Sequence, residues 1–261
     1  MKKIKTLTAT IALTVLALAC VAQEDDEGPE IFTYASYFYC PGGPLSRADE
    51  IIAEDADRIN GFVDDGTISG WGWLAHHTGG QWQRLYYFQA DSTDALLDAS
   101  DTMFGDNGDG DEEDGDADAT ADDEDEGLSF NQICNRHDDY IWQVENGTIG
   151  VDRGKAGFSV YHVCDVSREE RADEIIDEHV APILNQFVED GKLTSWGWSS
   201  HSVGGRFRRL QTMTGADHKS LLNARNEAIE AIYADDNELG TEFSDICGPH
   251  VDYMWDIIHE K

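Results

Sequence analysis

Positive charge is what this sequence has least of. Its 18 Lys and Arg stand against 53 Asp and Glu, a formal net charge of −35. So acidic a chain repels phosphate backbones and anionic lipid headgroups, which excludes nucleic acid as a partner and any membrane contact beyond a covalent anchor. Long apolar runs are also missing. Outside the N-terminus no stretch is long and apolar enough to cross a bilayer. There is no Ser-His-Asp order, nucleophile elbow, phosphate loop, dinucleotide fingerprint or HExxH. No residue is thereby marked as a reacting group.

What is present begins with a targeting segment. Met1-Lys2-Lys3-Ile4-Lys5 is basic, and Leu7 to Ala19 is apolar over about 13 residues, the length of a signal-peptide core. Residues 1–22 are read as a signal peptide cleaved after Ala22. Alternatively, cleavage follows Ala17-Leu18-Ala19 and leaves Cys20 as an acylated anchor of the lipoprotein kind. The expected location is periplasmic, outer-membrane-anchored or extracellular.

Cysteine usage supports export. Setting Cys20 aside leaves Cys40 and Cys134 in the first half of the chain and Cys164 and Cys247 in the second. One disulfide per half, Cys40 to Cys134 and Cys164 to Cys247, is expected in an oxidising compartment. The spacings Cys134-x-x-His137 and Cys247-x-x-His250 resemble metal ligation, but each lacks the further ligands that zinc requires, and no metal is expected.

The halves repeat one another. Arg47-Ala48-Asp49-Glu50-Ile51-Ile52 recurs unchanged as Arg171-Ala172-Asp173-Glu174-Ile175-Ile176, and Trp71 to Leu85 matches Trp196 to Leu210 at 8 of 15 positions. Cys134, His137, Asp139, Tyr140 and Trp142 reappear as Cys247, His250, Asp252, Tyr253 and Trp255. The offset between copies falls from 125 to 113, so the first copy carries 12 extra residues. They fall in the acidic tract, where Asp106 to Glu126 holds 13 Asp or Glu in 21 positions. This composition cannot bury a core and predicts a disordered loop over 105–127. No register of it fits an EF-hand.

Each copy predicts the same elements. Ile31 to Tyr39 and Phe158 to Val163 read as strands, followed by helices starting at Ser46 and Ser167 and stopping at Gly66 and Gly191. Thr67 to His77 and Gln81 to Gln89 read as a hairpin around Thr78-Gly79-Gly80, with Ser202-Val203-Gly204-Gly205 at the matching turn. A helix follows from about Ser92 to Met103 and from Asp217 to Ala234, and a last helix is expected over Cys134 to Val144 and Cys247 to Ile258. The modules are placed at 31–146 and 158–261, with the Gly-rich stretch 147–157 as linker.

Strand, helix, hairpin, helix is half of an α+β sandwich with one sheet face uncovered. Two such modules can cover each other within one chain. With Gly70-Trp71-Gly72-Trp73, His76-His77-Thr78-Gly79-Gly80 and Trp82-x-Arg84 as its local features, the chain resembles the dimeric α+β barrel superfamily. That superfamily includes ferredoxin-like monooxygenases, NIPSNAP-type proteins and haem-handling relatives. The resemblance implies an α+β fold of two tandem ferredoxin-like modules forming an intramolecular pseudo-dimer, monomeric as a chain.

The candidate ligand-binding residues are His76, Arg84, His201, Arg206, Arg208 and Arg209. The histidines lie beside turns, where they either face a pocket or bond the turn backbone. The arginines either bind an anion or pair with the abundant carboxylates. Trp71, Trp73, Trp196 and Trp198 are core residues or pocket walls. Two functions fit. One is a non-catalytic envelope protein without a cofactor, binding a small molecule or a protein. The other, implied by the resemblance, is a monooxygenase-like or haem-binding oxidoreductase using His76 or His201.

Overall fold

The computed structural model describes residues 30–105, 127–148, 152–234 and 238–261. The signal segment with Cys20, the acidic tract 106–126 and residues 149–151 of the expected linker lie outside them. The first half runs β1 (Phe32–Tyr39), α1 (Leu45–Asp64), β2 (Gly70–Gly79), β3 (Arg84–Ala90), α2 (Thr93–Phe104), α3 (Phe130–Ile133) and β4 (Arg136–Gly147). The second runs β5 (Ala156–His162), α4 (Glu169–Ile175), α5 (Ala181–Glu189), β6 (Ser195–Val203), β7 (Arg209–Gly215), α6 (His218–Ile232), α7 (Glu238–Cys247) and β8 (His250–Glu260). Among the described residues no helix is long and apolar enough to cross a membrane.

The eight strands close an antiparallel barrel in the order β1-β3-β2-β8-β5-β7-β6-β4. Each half supplies four strands, and the halves meet at β2 with β8 and at β4 with β6. Closure leaves no strand edge unpaired.

The expected last helix is corrected. Cys134 caps the short α3 and Cys247 ends α7, but Arg136–Gly147 and His250–Glu260 are strands. The Cys-x-x-His spacing imitates a helical period, whereas the bulky residues beyond it alternate with period two: Tyr140 and Trp142, then Tyr253 and Trp255, all turned into the barrel. His137 and His250 therefore do not pack around the disulfides on a helical face. They begin strands and remain more than 40 % exposed. Ser46 is likewise not a helix cap, since α1 starts at Leu45 after Pro44. Ser92 and Asp217 do cap α2 and α6, accepting backbone N–H bonds.

The offset between copies is 124 at the hexapeptide and 125 from Trp71 to Leu85, and this one-residue change has a local cause. Continuous α1 corresponds to α4 and α5 joined by a π turn over Ile176–Val180, and such a turn absorbs a single extra residue without rotating the helix beyond it. Pro182 lies just past the turn, at the start of α5.

Three apolar clusters result. One packs α1 and α2 on the outer sheet face around Ile59, Trp71, Trp73, Phe88 and Leu96. A second repeats this around Ile175, Leu184, Trp196, Trp198 and Leu221. The third fills the barrel with Tyr37, Trp82, Tyr140, Trp142, Tyr161, Phe207, Tyr253 and Trp255. Disulfides Cys40–Cys134 and Cys164–Cys247 tie the chain just after each half's first strand to the helix before its last. Loops this long give about 4 kcal/mol each in the chain-entropy account.

Candidate functional site

The identical hexapeptide is explained by the helix-to-sheet contact. Ala48 and Ala172 are fully buried, and Asp49 and Asp173 each receive a guanidinium on both oxygens. Arg84 Nε and Nη2 donate to Asp49 at 2.6 and 2.7 Å, and Arg209 does the same to Asp173 at 2.8 and 2.7 Å. The indole N–H of Trp73 and of Trp198 donates to the same carboxylates at 2.8 Å. Arg84 and Arg209 are thus bound into the scaffold. Arg208 pairs with Glu169 and donates to His201 Nδ1, while Arg206 lies over the Phe207 ring. Trp71 and Trp196 complete the set on the helix side, donating to Asn60 and Asn185.

One barrel end is closed by the two hairpin turns. Trp82 stacks on Tyr37 at 4.2 Å and on Tyr253 at 4.9 Å, and Phe207 packs on Tyr161 at 5.5 Å. Outside this plug lies an open depression of about 760 Å³. It is lined by Tyr39, His137, Asp138 and Arg206, where Asp138 accepts from both Tyr39 and Trp82.

Below the plug the barrel holds a cavity of about 350 Å³ that is partly open at the far end. It exists because the two copies differ on the inner face. Leu74, Tyr87, Ala35 and Thr33 of the first half correspond to Ser199, Thr212, Ser159 and Gly157 of the second, and all eight line it. Tyr87 fills the first half's share by lying flat against Gly72, where any Cβ would come within 2.4 Å of its ring. Thr212 leaves the matching volume open. At the far end stands Arg153, whose guanidinium donates to Glu260 and, at 2.7 Å, to the Tyr87 hydroxyl, itself bonded to Glu260.

The polar atoms of the cavity are also asymmetric. Trp142 Nε1 donates to Tyr37 Oη at 3.2 Å. Of their counterparts, Trp255 Nε1 is fully buried without a hydrogen-bond partner, while Tyr161 Oη is fully buried beside the Tyr37 and Ser159 hydroxyls. A buried N–H left unpaired costs about 1–3 kcal/mol. Sequence reasoning does not single these residues out, although the pairwise differences that create the cavity stand in the aligned copies.

His76 and His201 project from β2 and β6 toward the plug. Each imidazole meets two rings of the facing half at 6.0–6.2 Å, Tyr253 and Trp255 for His76, Tyr140 and Trp142 for His201. Burial, and then the neighbouring Arg208, hold His201 below the usual imidazole range. His76 Nε2 is buried without a partner, and the His201 imidazole bears on the Gly204 backbone of its own turn.

No family profile matches the chain, and no curated protein does. Solved structures do match. A candidate monooxygenase from Lactobacillus acidophilus NCFM superposes with a TM-score of 0.53 at 8% identity, covering 89% of this chain and 96% of its own. Another from Fusobacterium nucleatum gives 0.51 at 11% identity, with 90% and 95% covered. A chlorite dismutase variant from Candidatus Nitrospira defluvii gives 0.52 at 8%, with 88% and 92% covered. The fold is that of the dimeric α+β barrels. At these identities the likeness shows the fold alone.

Proposed function

We propose that this chain is an exported, non-catalytic small-molecule-binding protein, a tandem duplication of a ferredoxin-like module folded as an intramolecular pseudo-dimer, with its ligand inside the barrel. The observation that carries this reading is the asymmetric interior. One half of the core has lost bulk at Ser199 and Thr212 while keeping the buried Trp255 N–H unpaired beside the Tyr161 hydroxyl. The ligand chemistry that matches is a small, flat, largely apolar molecule with an acceptor oxygen, which would take the Trp255 N–H and exchange a hydrogen bond with Tyr161. Two disulfides fit the expected export.

The haem-binding alternative is weaker on geometry. Each of His76 and His201 stands edge-on to two aromatic rings with its Nε2 buried, and Arg208 holds the other nitrogen of His201. As these side chains stand, neither imidazole offers an open face to a macrocycle. The residues do not fit haem, and no chemistry is routed through it.

Acetophenone, an aromatic ring with one carbonyl acceptor, tests the reading. Ligand-detected NMR on the mature protein should show saturable binding that vanishes in Thr212→Tyr. No saturable binding to the native protein, or equal binding to that variant, would overturn the cavity reading.

A further inference from the structure

On the outer barrel face, where β2 of one half meets β8 of the other, three potential metal ligands converge. One atom each from His77, His218 and Asp256 lies within 4.8 Å of the other two. His77 Nδ1 is 3.4 Å from Asp256 Oδ2, and His218 Nε2 is 2.6 Å from Asp256 Oδ1. The two imidazole rings stack with centroids 3.8 Å apart. Around a tetrahedral ion with bonds of about 2.0–2.2 Å, adjacent ligand atoms stand about 3.3–3.6 Å apart. The observed contacts, which run to the two different oxygens of Asp256, are of that order or shorter, and the stacked rings would have to turn for both nitrogens to face one ion.

The three residues come from three elements. His77 is near the end of β2, at the irregularity that breaks the β2–β8 register between His76 and Thr78. His218 opens α6 directly after its cap Asp217. Asp256 sits in β8 with its side chain on the outer face. Their exposures leave the remaining coordination positions open to solvent, His77 and Asp256 being nearly half exposed and His218 one-fifth.

The second seam of the barrel supplies a control within the same molecule. The residues corresponding to His77, His218 and Asp256 are Ser202, Thr93 and Gln143, none of which is a good metal ligand. The strand pairing is equivalent, with Ala75 opposite Asp256 in one seam and Ser200 opposite Gln143 in the other. The barrel thus closes without this trio, so the two histidines and the aspartate are not demanded by the fold.

We infer that His77, His218 and Asp256 form a three-ligand site for a divalent transition-metal ion at the seam between the halves. Two imidazoles and one carboxylate favour zinc, nickel, cobalt or copper over calcium and magnesium, which take oxygen ligands. The site is separate from the barrel cavity and does not depend on it.

The test is titration of the chelator-treated mature protein with Zn²⁺ in excess Ca²⁺, which occupies the loose carboxylate sites. Calorimetry should give one Zn²⁺ per chain, and Co²⁺ should produce visible ligand-field bands of nitrogen coordination that Zn²⁺ displaces. The triple variant H77S/H218T/D256Q carries the residues of the other seam and should keep its fold by circular dichroism. It should lose Zn²⁺ affinity by at least about 100-fold and lose the Co²⁺ bands. Absence of a saturable Zn²⁺ site in the native protein, or unchanged binding in the triple variant, would show that Asp256 only bridges two imidazoles by hydrogen bonds and would end the proposal.

Discussion

The hydroxyl of Tyr253, near the end of the chain, accepts the backbone N–H of Gln81 at 2.7 Å and of Trp82 at 3.3 Å. Tyr140 occupies the matching place at the other hairpin, its hydroxyl against the backbone of Gly205 to Phe207. Each tyrosine belongs to one half and holds a turn of the other. Glycine is required beneath them, since a Cβ at Gly80 or Gly205 would lie 2.0 or 2.4 Å from the phenol oxygen. Tyr253→Phe keeps the ring in the plug and strands two N–H groups. The expected loss is about 1–3 kcal/mol, read as a fall in melting temperature of about 2–4 °C per kcal/mol for a chain of this size. An unchanged midpoint would show that the turn is held by its aromatic contacts alone.

Asp49 gives a sharper loss. Its carboxylate serves both Arg84 and Trp73, and Arg84 is 5% exposed, so Asp49→Ala leaves a buried guanidinium without its counter-ion. Removing one partner of a buried pair costs about 3–5 kcal/mol. The Arg84→Met/Asp49→Leu double variant should recover much of this in chemical denaturation, because apolar residues of similar size need no partner. Failure of the double variant to recover would assign the loss to Trp73 instead.

Much of this architecture is legible in the sequence. The Gly-Gly turns and the helix starts at Ser92 and Asp217 depend on short-range chemistry, while the hexapeptide and the paired cysteines are legible because they recur in both halves. The resemblance to the dimeric α+β barrels rests on element order and is matched by the fold. β4 and β8 read as helices from sequence because Cys-x-x-His suggests a helical period, while their true period of two begins only after the histidine. The site residues are harder. Arg84 and Arg209 look available for a ligand because Asp49 and Asp173, 35 and 36 residues earlier, meet them only across the helix–sheet contact. Ser199 and Thr212 carry no motif. They acquire meaning only when the barrel shows that their counterparts Leu74 and Tyr87 point inward.

Filling the cavity should stabilise the protein or leave it unchanged. In Thr212→Tyr the new ring would lie over Gly197 as Tyr87 lies over Gly72, since the two glycines correspond. Added burial of an aromatic ring offsets the rotamer entropy it loses. The melting temperature is expected to hold or rise while acetophenone binding is lost. A large fall would show that the second half cannot adopt the first half's packing, and Ser199→Leu would then be the substitution to use.

Acid sensitivity should trace in part to His162. This histidine ends β5, is 5% exposed, and bonds through Nδ1 to the Cys247 carbonyl at 2.8 Å. Its neighbours are apolar or aromatic, Trp198 and Phe243, with the His250 ring at 5.6 Å. Burial lowers its pKa to about 4, against the ordinary value of 6.5 in an unfolded chain. Between those values the unfolded state binds a proton that the folded state refuses, so stability rises with pH across that interval. The contribution is complete above about pH 6.5 and is lost as pH falls toward 4. At its largest it amounts to about 3 kcal/mol. The corresponding residue in the first half is Phe38, which packs on Trp73 and needs no proton at any pH. His162→Phe should therefore flatten the decline in unfolding free energy between pH 6.5 and 4, leaving the smaller slope due to His201 and the paired carboxylates. Parallel denaturation curves for native and variant proteins at several pH values would measure the difference, and identical slopes would show that His162 titrates normally in the folded state.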